Sequence, residues 1–127
     1  MMGLAKLSRK LLGDQGERAA AQRMRQQGYK ILHRNVRTRY GEIDLIAQQG
    51  ETLIFCEVKA RRGATSGHPA EAIDPRKQAK LIQLAQAWLQ QHPQWSEAPC
   101  RFDAALVYEE HKQWQVTIIQ DAFRPGW

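Results

Sequence analysis

Cysteine is scarce in this sequence of 127 residues: Cys56 and Cys100 stand far apart, each beside strand-like apolar residues and without a second cysteine at metal-ligand spacing. That argues against a disulfide framework or a thiolate zinc site and leaves both as small core residues. The four histidines, His33, His68, His92 and His111, form no HxxxH or HxH pattern, so neither a zinc site nor a nucleophilic triad has support. No apolar run is long enough to cross a bilayer, which argues against a membrane partner. The basic N-terminus MMGLAKLSRKLLGDQGE lacks the apolar stretch and cleavage site of a signal peptide, so the expected location is cytoplasmic. Linker-like and repeated segments are also missing. The length then predicts one domain over residues 1–127, with a basic N-terminal extension over 1–12 and a C-terminal tail over 121–127. Acidic residues are rare at one end: residues 1–39 hold ten Lys and Arg against only Asp14 and Glu17, giving +8 there and −2 over the remainder. A one-sided basic surface is the footprint of a nucleic-acid partner, with a merely solvated face as the plain alternative.

What is present has a readable order. A first helix is predicted from between Ser8 and Asp14 to Gln27, with Gly28 as its cap. Strands follow at about 29–36, 42–48 and 52–60, and RRGATSGHPA reads as a loop by its Gly, Ser and Pro content. Asp74-Pro75 opens a second helix that runs to Pro93, with an apolar stripe of Leu81, Ile82, Ala85, Trp88 and Leu89. CRFDAALVYEE and QWQVTII are two further strands before the tail DAFRPGW. The order α-β-β-β-α-β-β predicts an α/β fold, a mixed central sheet flanked by helices.

Residues 41–61, GEIDLIAQQGETLIFCEVKAR, set charge among residues that should be buried. With an even-numbered hairpin loop, such as Gln49-Gly50 or Gln48 to Glu51, residue 44 pairs with 55 and residue 42 with 57, whereas an odd loop would split the set. Glu42, Asp44, Phe55, Glu57 and Lys59 then share one face, while Ile43, Leu45, Ala47, Cys56 and Val58 form core on the other. Asp44 and Glu57 lie diagonally, roughly 7 to 8 Å apart at the backbone, a gap one cation bridges. Glu17 shares a helical stripe with Ala20, Ala21 and Met24, and Gln78 precedes Leu81 and Ile82 on the inward face of the second helix. Alone, each reads as a helix-terminal or satisfied core group. Together, three inward carboxylates repel unless a cation neutralises them, and oxygen-only ligation selects Mg²⁺ or Mn²⁺. Lys59 is placed to orient an attacking water or to stabilise charge on a phosphorane-like transition state. A Glu57–Lys59 or Asp44–Lys59 salt bridge is the structural alternative.

The stretches GDQGERAA, GEIDLIA, FCEVKAR and RFDAALV, in that order and at that spacing, resemble the YraN-like family of small bacterial proteins. That family is similar to the archaeal Holliday-junction resolvases of the PD-(D/E)XK nuclease superfamily. The likeness runs from Gly13 to Phe123, with Ile43 standing where the signature has proline. The resemblance implies a restriction-endonuclease-like core. It implies Asp44 and Glu57 as metal ligands, Lys59 as the catalytic lysine and Glu17 as the helix glutamate that completes the site. Glu42 and Gln78 are the supporting polar groups.

The expected function is a Mg²⁺- or Mn²⁺-dependent endonuclease that hydrolyses phosphodiester bonds in branched or structured DNA. Arg34, Arg37, Arg39, Arg61 and Arg62 would clamp the backbone, which positions DNA without reading its sequence. Symmetric cutting of a four-way junction requires two sites and hence a homodimer. One rival is a non-catalytic nucleic-acid-binding module with the same fold. Another is a subunit whose basic face serves an acidic protein.

Overall fold

A computed structural model describes residues 4–62 and 73–126, with the side chains of residues 4–11 and of Arg62 outside that description. His68 and most of the RRGATSGHPA segment therefore also lie outside it. Helix α1 (Leu4–Gln26) begins before the expected start between Ser8 and Asp14, so helix occupies much of what reads as a basic extension. Its end follows the sequence closely. Gly28 sits at φ 92°, the Tyr29 N–H reaches the Met24 carbonyl at 3.0 Å, and the Gly28 N–H reaches that of Arg25 at 3.1 Å. These two bonds satisfy carbonyls that a helix end leaves open, and they need a left-handed residue that glycine supplies without a Cβ clash.

Strands β1 (Lys30–Thr38), β2 (Gly41–Gln49) and β3 (Thr52–Arg62) follow, then helix α2 (Pro75–Gln90), a 3-10 turn at Pro93–Trp95, and strands β4 (Cys100–Glu110) and β5 (Gln113–Phe123). The element order is the expected one. The strands lie side by side in chain order, antiparallel except for the parallel pair β3–β4. Parallel neighbours cannot be joined by a tight turn, and α2 supplies the crossover. Asp74 caps α2 by accepting from the Lys77 N–H at 2.9 Å, with Pro75 in the first helical turn. The result is a mixed five-stranded sheet flanked by α1 and α2, consistent with a restriction-endonuclease-like core. No helix among the described residues is long and apolar enough to cross a membrane.

Strand β3 is buried on both faces, which is why LIFC reads as a continuous apolar run. Leu53 and Phe55 pack with Leu81, Leu84, Ala85 and Trp88 of α2, whereas Ile54 and Cys56 pack with Ala20, Ala21 and Met24 of α1. Leu84, outside the expected stripe, is buried, while Ile82 and Leu89 are half-buried. Cys56 and Cys100 are free thiols. The supposed tail does not begin at Asp121. Strand β5 continues to Phe123, whose ring stacks on Phe102 at 4.9 Å in the core.

The β2–β3 hairpin departs from the expected register by two residues. Its turn is Gly50-Glu51, so Gln49 pairs with Thr52, Ile46 with Phe55 and Leu45 with Cys56. Gly50 takes the first turn position at φ 59°, where a side chain would be strained. Beyond Leu45 and Cys56 the two strands part. Strand β3 stays on β4 as far as Arg62 and Glu109, while β2 stays on β1 as far as Gly41 and Thr38. Strand β1 shifts register between Ile31 and His33, and farther on Asn35, opposite Asp44, kinks the backbone at φ 54°, a left-handed conformation that Asn tolerates better than most residues. Past this kink, Ile43 packs with Val36, Ile46 and the α2 layer instead of with Leu45, contrary to the strict alternation expected. Asp44 correspondingly meets α1 and does not share the layer of Phe55.

Candidate metal centre

Glu17 reaches the fork between β2 and β3 because α1 lies unusually close to the sheet. A Cβ on Gly16 would stand 2.5 Å from the Ala60 Cβ, so only glycine allows this approach without a shift. The neighbouring Glu17 is 6% exposed. One carboxylate oxygen each from Glu17, Glu42 and Asp44 lie within 4.8 Å of one another. Glu17 Oε1 is buried with no hydrogen-bond partner. Its neighbour Arg34 Nε stands 3.8 Å away, close enough to attract but too far to donate.

Asp103 shows what a finished buried acid looks like in the same molecule. It is wholly buried and accepts from Arg101 Nε at 2.8 Å, Arg101 Nη2 at 3.0 Å, the Tyr29 hydroxyl at 2.9 Å and the Asp121 N–H at 2.9 Å. Arg101 also donates to Gln49 Oε1 at 2.9 Å, and Gln120 donates to the Tyr29 hydroxyl at 3.0 Å. That network is closed and structural. At Glu17, by contrast, Asn35 and Arg34 attend the carboxylate but one buried oxygen is left without a hydrogen bond, which is unfavourable unless something pairs with it.

The electrostatics agree. Burial raises the Asp44 carboxyl to about 7, with Glu57, Glu17 and Glu42 adding to the rise and the Val58 N–H opposing it from 2.8 Å. Burial also raises Glu17, against the pull of Arg34, with Glu42 and Asp14 contributing. Crowded carboxylates with hard oxygen donors and no Cys or His suit Mg²⁺ or Mn²⁺.

Glu57 is not one of the three converging acids. Its Oε1 accepts from Lys77 Nζ at 2.9 Å, with the Glu57 side chain 13% exposed. Lys59 is half-buried beside this pair, and its pKa is lowered by burial and by the adjoining Lys77. Gln78 donates to the Ile73 carbonyl at 2.9 Å and so braces the start of α2. Of the arginines, Arg34 leans on Glu17, Arg37 Nε stands 3.5 Å from Glu42, Arg39 lies over the exposed Tyr40 ring, and Arg61 is exposed on β3. The Arg62 side chain lies outside the described residues.

Sequence reasoning missed Lys77, Asn35 and Gly16. The only available signals were a glycine inside a helical stripe and an asparagine inside a strand, both residues disfavoured there unless the backbone needs them.

Comparison with known proteins places this geometry in a family. The model of the uncharacterised protein family UPF0102 matches residues 16–107, a span that includes every acid and lysine of the site. A UPF0102 protein of Magnetococcus marinus is 54% identical over 121 residues, covering 95% of this chain and 98% of that one. Another, from Symbiobacterium thermophilum, is 45% identical over 113 residues, covering 88% and 95%. A third, from Stutzerimonas stutzeri, is 39% identical over 111 residues, covering 87% and 92%. With a family match over most of its length and full-length relatives at this identity, the chain belongs to UPF0102, the family of YraN-like proteins that its motifs resemble.

Proposed function

We propose that the protein is a Mg²⁺- or Mn²⁺-dependent endonuclease that hydrolyses phosphodiester bonds in branched or structured DNA, as the likeness of its motifs to junction resolvases implies. The observation that carries this reading is the convergence of Glu17, Glu42 and Asp44, with one buried glutamate oxygen unpartnered. Glu17 and Asp44 would hold the ion, with Glu42 beside them and Glu57 joining from β3. A bound divalent ion supplies charge to the scissile phosphate and acidifies a water. In hydrolysis a water oxygen would join phosphorus as the water gives up a proton, and the bond to one bridging oxygen would break, that oxygen taking up a proton. Lys59 holds the water in line and offsets charge on the non-bridging oxygens. The exposed Arg37, Arg39 and Arg61 take backbone phosphates, which favours recognition by shape over sequence.

The test is incubation of purified protein with duplex, forked, flapped and four-way-junction DNA in Mg²⁺ or Mn²⁺, with cut sites mapped. Cleavage that needs the metal and prefers a branched substrate is the expected result; absence of cleavage from every substrate would overturn it. One feature favours the rival reading of a non-catalytic nucleic-acid-binding module: Glu57 is already neutralised by Lys77. Binding to all the DNAs without any cutting would establish that alternative.

A further inference from the structure

We propose that Lys77 is the built-in counter-ion of the site, holding Glu57 until a divalent cation displaces its ammonium, so that metal loading is an exchange of one cation for another. The inference rests on the metal-site reading above and concerns how that site is regulated.

The acids near the fork divide into two groups. Glu17, Glu42 and Asp44 converge, whereas Glu57, one residue from the Val58 N–H that binds Asp44, is tied to Lys77. Glu57 thus has the position of a ligand but not its freedom. Lys77 is well placed for a reversible hold. Its backbone is fixed in the first turn of α2 by the Asp74 cap, so the stem starts from a rigid point. Its side chain is 49% exposed, so the ammonium can withdraw into solvent without a burial penalty. The ammonium also adjoins Lys59, so a second lysine stands ready beside the same carboxylate when the first withdraws. A pure stability pair would gain nothing from the second lysine. An ammonium that keeps an acidic site neutral until a stronger cation arrives would explain all three features.

The exchange is tested by calorimetric titration of metal-free protein with MnCl₂. The proteins compared are wild type, Lys77→Met, Lys77→Arg, Glu57→Gln and the double variant Lys77→Met/Glu57→Gln, each first shown to melt cooperatively. Methionine keeps the aliphatic stem and removes the charge; arginine keeps the pair. A half-exposed ion pair of this kind predicts roughly fivefold tighter Mn²⁺ binding for Lys77→Met. Lys77→Arg should stay within about twofold of wild type if the charge, not the stem, competes. The gain should vanish in the Glu57→Gln background, because no carboxylate remains to be released. A gain that persists there would mean a general field effect of lost positive charge and would overturn the exchange. So would wild-type binding that Lys77→Met leaves unchanged. Failure of both wild type and Lys77→Met to bind Mn²⁺ at millimolar concentration would instead sink the metal-site reading, and the exchange with it.

Discussion

The Asp44 carboxylate takes a hydrogen bond from the backbone N–H of Val58 at 2.8 Å, across the point where β2 and β3 separate. It does so although burial and the neighbouring Glu57 hold its pKa up at about 7. A carboxyl whose folded pKa lies above its unfolded value binds its proton more tightly when folded. Its ionisation therefore costs stability, at up to about 1.4 kcal/mol per pH unit, as pH rises between about 4 and 7. In metal-free buffer Asp44→Asn should melt above wild type at pH 8, and the gap should narrow as pH falls and close near pH 4. Thermal melts across that range check this. A gap independent of pH would show that Asp44 titrates as an ordinary surface acid.

Metal affinity should show the mirror image. Protons compete for Asp44 below about pH 7, and burial strengthens the hold of Glu17 on its own proton, so Mn²⁺ binding should strengthen as pH rises to about 7. Titrations at three pH values suffice. Affinity unchanged from pH 5 to 8 would remove these acids from the ligand set.

Asp44 and Lys59 should behave as one unit. Asp44→Asn removes charge with little change of shape, so DNA should still bind while cleavage falls to background. Lys59→Ala should keep metal binding and lose cleavage, and the double variant should be scarcely worse than either single. If both residues were only structural, activity in each variant would track the fraction folded, which melts on the same samples would reveal.

Gly16 and Ala60 give a steric test. Gly16→Ala sets a methyl 2.5 Å from the Ala60 Cβ. Overpacking of this kind costs about 1 to 3 kcal/mol. Because Glu17 rides on the next residue, Mn²⁺ affinity should fall as well. Adding Ala60→Gly should restore part of both. Rescue of stability without rescue of metal binding would place Glu17 outside the site.

Much of the fold was legible because its signals are local. Gly28, the Asp74-Pro75 pair and the LIFC run each determine their own neighbourhood, and the element order follows from them. The site was legible only as a set of residue types. Asp44 and Phe55 have the right parity to share a face, but the kink at Asn35 and Asp44 turns the end of the strand over, and no alternation pattern records a kink. The Glu57–Lys77 pair joins residues 20 apart through a crossover helix, beyond the reach of any spacing rule. Arg101 and Asp103, two apart on one strand, share a face and so were readable as a pair. Tyr29, 74 residues from Asp103, was not.

The closed network around Asp103 has a mechanical meaning. It bolts together the end of α1, the hairpin end of β2, and strands β4 and β5. The opposite end of the hairpin is spanned at the fork by the bond from the Val58 N–H to Asp44. The sheet is therefore built like a pair of tweezers, welded at the grip and sprung at the tips. The pair β1–β2 and the pair β3–β4 are thus joined along the ladder from Gln49–Thr52 to Leu45–Cys56 and diverge beyond it. The acidic cluster of Glu17, Glu42 and Asp44 therefore sits at the lightly tied end of the sheet, away from the bolted one.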